Sequence, residues 1–178
     1  IDFRPYNALN RLALQALTLP EKDSHRDAAT ALAQQCRLAA AEAYKRGANF
    51  WDAVMEPEAL LVERLLDGGF MQVGEGGRPA FEEVARAYRE TLSNLTVKPR
   101  ELDSMVSQMG LLSRFCDALY VVSQDPGWRR VADSLIALAE HVRPGACQRD
   151  DRPSWQEGRG IDGARLVALR GKFGHNLQ

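Results

Sequence analysis

Residues 65–92 read LLDGGFMQVGEGGRPAFEEVARAYRETL and hold five of the chain's fourteen glycines. Glycines clustered in this way either cradle a phosphate or form a turn between two helices. Leucines repeat at helical steps before the glycines, and the same period continues after them at Phe81, Val84, Ala85, Tyr88 and Leu92. The stretch therefore poses a choice between a nucleotide loop and a long connection within a helix pair.

The flanking residues decide against a nucleotide loop. A Walker loop follows a strand and ends in Gly-Lys-Ser/Thr, so that backbone N–H groups and the lysine surround the phosphates. Here the preceding pattern is helical, and Arg78-Pro79 stands where Lys-Ser/Thr is needed. The GEGG run at 74–77 also lacks the G-x-G-x-x-G spacing of dinucleotide sites. We interpret the glycines as a turn and predict no bound cofactor.

Helical periods dominate the rest of the chain. Pro5 and Pro99 suit first helical turns, Asp125 with Pro126 predicts another helix start, and Pro57 predicts a kink or a fresh start. The longest pattern predicts a buried seam at Leu102, Val106, Met109, Leu112, Phe115 and Leu119. No alternating β-branched run is bounded by Asn-Gly or Asp-Gly. We expect an all-α fold of six or seven helices stacked as antiparallel pairs, with a closed helical bundle as the alternative.

Three segments are expected within one domain. Residues 1–142 form the array of helix pairs, 143–161 form a polar loop, and 162–178 form a short C-terminal helix and tail packed on the same domain. The first residue is not Met, so we expect a processed chain or a piece of a longer protein.

Composition excludes several classes of protein. The 178 residues carry a formal net charge of −1, and no apolar run approaches the roughly 18 residues that cross a bilayer. Neither a signal peptide nor a disulfide framework is indicated, so a cytoplasmic setting without a membrane partner is expected. The free thiols Cys36 and Cys116 lie within helical patterns and are expected to be buried.

No catalytic or metal-binding pattern is present in the sequence. His25, His141 and His175 lie in or beside polar connectors and have no partner at the spacing of a triad or a zinc site. The carboxylate pair Glu56 and Glu58 is expected on a solvated face. We therefore predict a chain that is not an enzyme and holds no metal.

The C-terminal part is mildly basic. Residues 141–178 hold seven Lys or Arg against four Asp or Glu. Together with Trp128, Arg129 and Arg130, this cluster makes a nucleic-acid surface conceivable. Because a nucleic-acid binder usually carries a denser basic stripe, a plain solvated surface is the stronger expectation.

The opening stretch resembles a tetratricopeptide repeat. Leu66 and Gly68 end one helix, and the next carries the matching small and aromatic positions Ala80, Val84, Tyr88 and Leu92. The turn is about eight residues longer than that motif, and the 34-residue spacing is not repeated cleanly. The resemblance implies a solenoid of paired helices.

A second resemblance is to the helical regions called TRAFs-binding domains in bacterial proteins. It rests on Phe50-Trp51, Ala53-Val54 and Glu58-Ala59-Leu60-Leu61. It implies a scaffold or sensor module beside an effector domain, such as a caspase-like or TIR-like domain, and supplies no catalytic residues.

These features together favour a non-catalytic protein-interaction module. Stacked helix pairs leave a concave face for another protein or an adjacent domain of the parent chain. The groove candidates are Asn7, Asn10, Arg11, Trp51 and Tyr88, although for the two aromatic residues a place in the core is the stronger expectation. The alternative is a helical domain that binds a small ligand or nucleotide in an interhelical pocket.

Overall fold

The computed structural model describes residues 5–18, 24–46, 49–72 and 77–143. These ranges hold six helices and no strand: α1 (Pro5–Thr18), α2 (Ser24–Arg46), α3 (Phe50–Leu66), α4 (Gly77–Ser93), α5 (Pro99–Ser123) and α6 (Pro126–His141). The all-α prediction is confirmed. The predicted helix at 162–178 and all but the first residue of the loop at 143–161 lie outside the described residues.

Local sequence signals set several of the helix starts. The Asn49 side chain accepts a hydrogen bond from the Asp52 N–H at 3.0 Å and caps α3. Asp125 caps α6 in the same way, accepting from the Gly127 N–H at 2.7 Å, with Pro126 in the first turn. These bonds satisfy N–H groups that have no partner inside the helix. The helix bounds also confirm the predicted starts at Pro5, Pro99 and Pro126.

Helix α3 is the central element of the fold. It packs against α1, α2 and α4, and twelve of its seventeen residues are buried. Pro57 is one of these buried residues, and the helix continues through it instead of starting again there. Packing on several sides holds the backbone helical although proline removes one hydrogen bond.

The helices pack mainly as neighbours. The pairs α2–α3 and α5–α6 pack most extensively, α1 lies on α2 and α3, and α4 bridges α3 and α6. A further contact joins α1 to α5, where Gln108 Nε2 donates to Asn10 Oδ1 at 2.9 Å. The first and fifth helices therefore meet, as expected for the closed bundle that is the alternative to an open array.

The buried seam of α5 differs from the predicted one in its C-terminal half. Leu102, Val106, Met109 and Leu112 are buried as predicted, but Leu119 is only partly buried and Phe115 is 46% exposed. Cys116 takes that place, because it lies on the same side of the helix as the buried Met105 and Met109, whereas Phe115 is turned away from Cys116 by about 100°. Cys36 and Cys116 are both fully buried, as predicted, and burial raises the pKa of the Cys116 thiol to about 12.

Candidate interaction groove

The opening glycine stretch closes α3 and brings α4 close to it. Gly68 has a φ of +74°, in the left-handed region that favours glycine, and the Gly69 N–H donates to the Arg64 carbonyl at 3.0 Å. This bond spans the end of the helix as in a Schellman cap. A Cβ added at Gly69 would lie only 3.0 Å from the Cβ of Ala80 in α4. The turn at 67–71 thus needs its glycines for geometry, and residues 73–76 lie outside the described residues.

Two arginines from distant helices hold this turn. Arg26 of α2 donates to the Leu66 carbonyl, and Arg130 of α6 donates to the Met71 carbonyl at 2.9 Å. Carbonyls at a helix C-terminus carry partial negative charge, which favours a guanidinium there. A concavity of about 390 Å³ lies at the turn, between Arg26 and residues 66–72. Because Arg26 already donates a hydrogen bond to the backbone within this concavity, we interpret the concavity as part of the contact that holds the turn.

A second concavity, the interaction groove, lies between α2, α3 and α4 and has a volume of about 400 Å³. Its floor is made of alanines, of which Ala40 and Ala53 are buried. Tyr44 forms a wall and is 37% exposed. The lining residues come from three helices and the start of the following turn: Ala40, Ala41, Tyr44, Lys45, Asp52, Ala53, Glu56, Ala87, Glu90, Thr91 and Asn94. The small floor residues leave room for side chains of another molecule.

The rim of the interaction groove is acidic. Its lining residues include the acids Asp52, Glu56 and Glu90 and the cation Lys45, and Glu56 lies 3.6 Å from Arg37 outside the lining. Lys45 already pairs with Glu42 at 2.8 Å, and its hydrogen bond lowers the pKa of that carboxyl. The groove therefore presents net negative charge around an apolar floor, which suits a basic segment with small or aliphatic side chains.

The groove residues predicted on α1 do not line this groove. Asn7 and Arg11 are exposed on α1, whereas Asn10 accepts the bond from Gln108 and so ties α1 to α5. None of the three is among the lining residues. The structure instead places Asn10 in the contact between α1 and α5.

The two aromatic candidates separate. Tyr88 is 1% exposed and lies in the core, in agreement with its alternative assignment as a core residue. It is therefore not a groove residue. Trp51 is 37% exposed and packs edge-on against Phe50, with ring centroids 5.0 Å apart. It precedes Asp52 on α3 but is not a lining residue. The lining alanines of α2, α3 and α4 carry no chemical signal by which the sequence could indicate a groove.

The basic candidates on α6 are engaged within the fold. Arg130 holds the glycine turn, and Arg129 lies 3.6 Å from Asp117, 3.9 Å from Asp133 and 5.8 Å from the Tyr120 ring centroid. Trp128 is partly buried against the core. These contacts occupy the charges on which a nucleic-acid surface in the described part of the chain would depend.

A buried carboxyl group was missed at the sequence level. Glu58 is 4% exposed and its Oε2 has no hydrogen-bond partner among the described residues, so its prediction as a solvated residue is wrong. Burial raises the pKa of Glu58 to about 7. Burial, and then the charge of Glu58, raises the pKa of the Tyr88 phenol well above its usual range. The cause is the packing of α1, α2 and α4 around α3, which buries twelve of its seventeen residues, Glu58 among them.

Within the described ranges, no group of three or more His, Cys, Asp or Glu is arranged to hold a metal ion. The helices described are all too short or too polar to span a membrane. Comparison with protein-family models, with curated proteins and with solved structures finds no match. Assignment of a function therefore depends on the groove and its surroundings.

Proposed function

We propose that this chain is a non-catalytic interaction module whose groove between α2, α3 and α4 receives a basic segment of another protein or of an adjacent domain. The observation that carries the proposal is the combination of an alanine floor with a rim on which acids outnumber bases. Small floor residues admit aliphatic or straight-chain side chains, and the acidic rim attracts Lys or Arg and disfavours an acidic competitor.

The proposed contact covers a small area, but it discriminates between partners by the sign of their charge. A groove of about 400 Å³ accommodates a few side chains and not a whole domain face. Affinity would come from the residues seated on the floor, whereas the rim would set the preference of sign and increase the association rate at low salt.

The test uses two fluorescein-labelled twelve-residue probes, one alternating Lys with Ala and the other alternating Glu with Ala. Fluorescence anisotropy should show that the chain binds the Lys probe at least tenfold more tightly. Replacing Asp52→Lys together with Glu90→Lys should weaken Lys-probe binding at least tenfold. The matched control, Glu82→Lys with Asp103→Lys, makes the same charge change at exposed positions that do not line the groove.

Equal losses in the groove variant and in the control would show only nonspecific charge attraction and would overturn the groove assignment. Unchanged binding in both variants would overturn it too. Ala87→Leu narrows the groove without altering charge, so it should also weaken the Lys probe.

The resemblances stated for residues 50–61 and 66–92 support a wider proposal: the module serves as a scaffold or sensor in a larger bacterial signalling or effector protein of the cytoplasm. Its test is the complete reading frame around this chain. An attached caspase-like, TIR-like or nuclease domain supports it, whereas a frame that contains nothing beyond this chain contradicts it.

A further inference from the structure

An apolar stripe lies on the outer face of α5. Its members are Leu111, Phe115, Ala118 and Val122, which follow one another at steps of four, three and four residues and so lie on one side of the helix. All four are exposed, with Leu111 at 42%, Phe115 at 46% and Val122 at 85%. Single exposed apolar residues are ordinary, but an aligned set with a phenylalanine at its centre marks a contact surface.

The bundle leaves this stripe uncovered. The core face of α5, with Met105, Met109 and Cys116, points more than a quarter turn away from it. Helix α1 borders α5 through the Asn10–Gln108 bond, and one turn further along α1 Leu14 is a further exposed apolar residue at 42%. From Leu111 to Val122 the stripe is about 16 Å long, as given by eleven helical steps of 1.5 Å.

We propose that residues 161–173 of this same chain, IDGARLVALRGKF, cover the α5 stripe as a short amphipathic helix. Leu166, Leu169 and Phe173 follow one another at steps of three and four residues, the complement of the spacing on α5. The charged residues Arg170 and Lys172 fall between Leu169 and Phe173, and Arg165 directly precedes Leu166. Thirteen helical residues extend about 18 Å from first to last, which matches the length of the stripe.

The described part of the chain ends at a point from which residues 161–173 can reach the α5 stripe. Helix α6 follows α5 after a two-residue connection and packs along it, so the two run antiparallel and α6 ends near the start of α5. Residues 144–160 then separate the bundle from the segment and span up to about 56 Å when extended. Because α5 has 25 residues and is about 37 Å long, this linker reaches every part of the stripe.

A second copy of the chain is the competing occupant. A stable dimer buries about 800 Å² on each partner, which is far more than four side chains on one helix face provide. A stripe one helix wide and three turns long is matched by one short helix. The tethered segment also has a high effective concentration, since it is covalently attached.

Hydrogen exchange on the full 178-residue chain tests the proposal. Amides of 161–173 should exchange at least tenfold more slowly than those of an isolated IDGARLVALRGKF peptide. Phe115→Ser with Val122→Ser should abolish this protection while leaving α3 protected. Leu38→Ser is the matched control, since Leu38 is 70% exposed on α2, and it should leave the protection unchanged. The reciprocal variant Leu169→Ser with Phe173→Ser should also abolish it.

Three results would overturn the proposal. The first is a segment 161–173 that exchanges as fast as the peptide. The second is a protected segment that the α5 variant does not deprotect, which would place it on another surface. The third is a dimer in light scattering that Phe115→Ser with Val122→Ser converts to a monomer, which would make a second copy the occupant. Because the stripe and the groove are separate, each test can fail without the other.

Discussion

Helices α3 and α5 are made of similar residues, but the bundle covers them differently. Twelve of the seventeen residues of α3 are buried, because α1, α2 and α4 surround it. Eight of the twenty-five residues of α5 are buried, mainly against α6. Leucine, valine and phenylalanine on α3 therefore stabilise the fold, whereas Leu111, Phe115 and Val122 of α5 lie outside the core of the described bundle. The comparison distinguishes apolar residues that form the core of the bundle from exposed apolar residues that are available for a contact on its surface.

The sharpest test of this comparison applies one substitution to both helices. Leu61→Ala in α3, where Leu61 is 4% exposed, should lower the free energy of unfolding by about 2–5 kcal/mol through lost burial and a cavity. Leu111→Ala in α5, where the leucine is 42% exposed, should lower it by less than about 1 kcal/mol. Urea unfolding monitored by circular dichroism measures both. Equal losses would mean that α5 is covered as completely as α3.

The second prediction concerns the buried carboxyl of α3. Because the pKa of Glu58 is about 7 in the folded chain and 4.5 in the reference state, folding takes up a proton between these values. The contribution of Glu58 to stability should therefore be highest below pH 4.5, fall as the pH rises to about 7 and stay level above it. The contribution of Glu58 to this fall is about 3 kcal/mol, from 1.36 kcal/mol for each pKa unit.

Glu58→Gln should remove this part of the pH dependence when unfolding is measured in urea at several pH values. Glu56→Gln is the matched control, since Glu56 is exposed and only 3.6 Å from Arg37, and it should leave the fall in place. A Glu58→Gln variant with the same pH profile as the unaltered chain would show that Glu58 reaches water.

The smallest predicted effects concern how the two helices end. Gly68 has a φ of +74° just after α3, and Gln124 has a φ of +57° just after α5. A side chain with Cβ is disfavoured in this left-handed region by about 1–2 kcal/mol. Gly68→Ala should therefore destabilise the fold by about 1–2 kcal/mol, and Gln124→Gly should stabilise it by up to about 1 kcal/mol. Thermal unfolding of both variants checks the signs, and a destabilising Gln124→Gly would contradict this account.

Much of the fold could be predicted from the hydrophobic periodicity of the helices and from the residues that start or end them. The prolines at 99 and 126 and the cap at Asp125 mark real helix starts, because their effects are local. The continuation of α3 through Pro57 could not be predicted in that way, since it depends on packing from three other helices. Phe115 shows a similar limit. Its place outside the buried seam could be predicted only by knowing which face of α5 is covered by α6.

The candidate site was harder to predict than the fold. Its floor is made of alanines, such as Ala40 and Ala87, which carry no chemical signal in a sequence. Tyr88 and Trp51 drew attention as large aromatics, yet one is in the core and the other lies outside the groove. A groove forms where the side chains that line it are small. This one exists only because three helices come together, and the sequence does not show that arrangement.

The bond between Asn10 and Gln108 joins positions that are 98 residues apart in the chain. Contacts between distant positions require the closure of a large loop and form more slowly than contacts between neighbours. During synthesis α1, α2 and α3 can pack together as soon as all three have left the ribosome, but the contact of α1 with α5 waits until α5 has been made. The bond between Asn10 and Gln108 is thus added to a helix that α2 and α3 already hold.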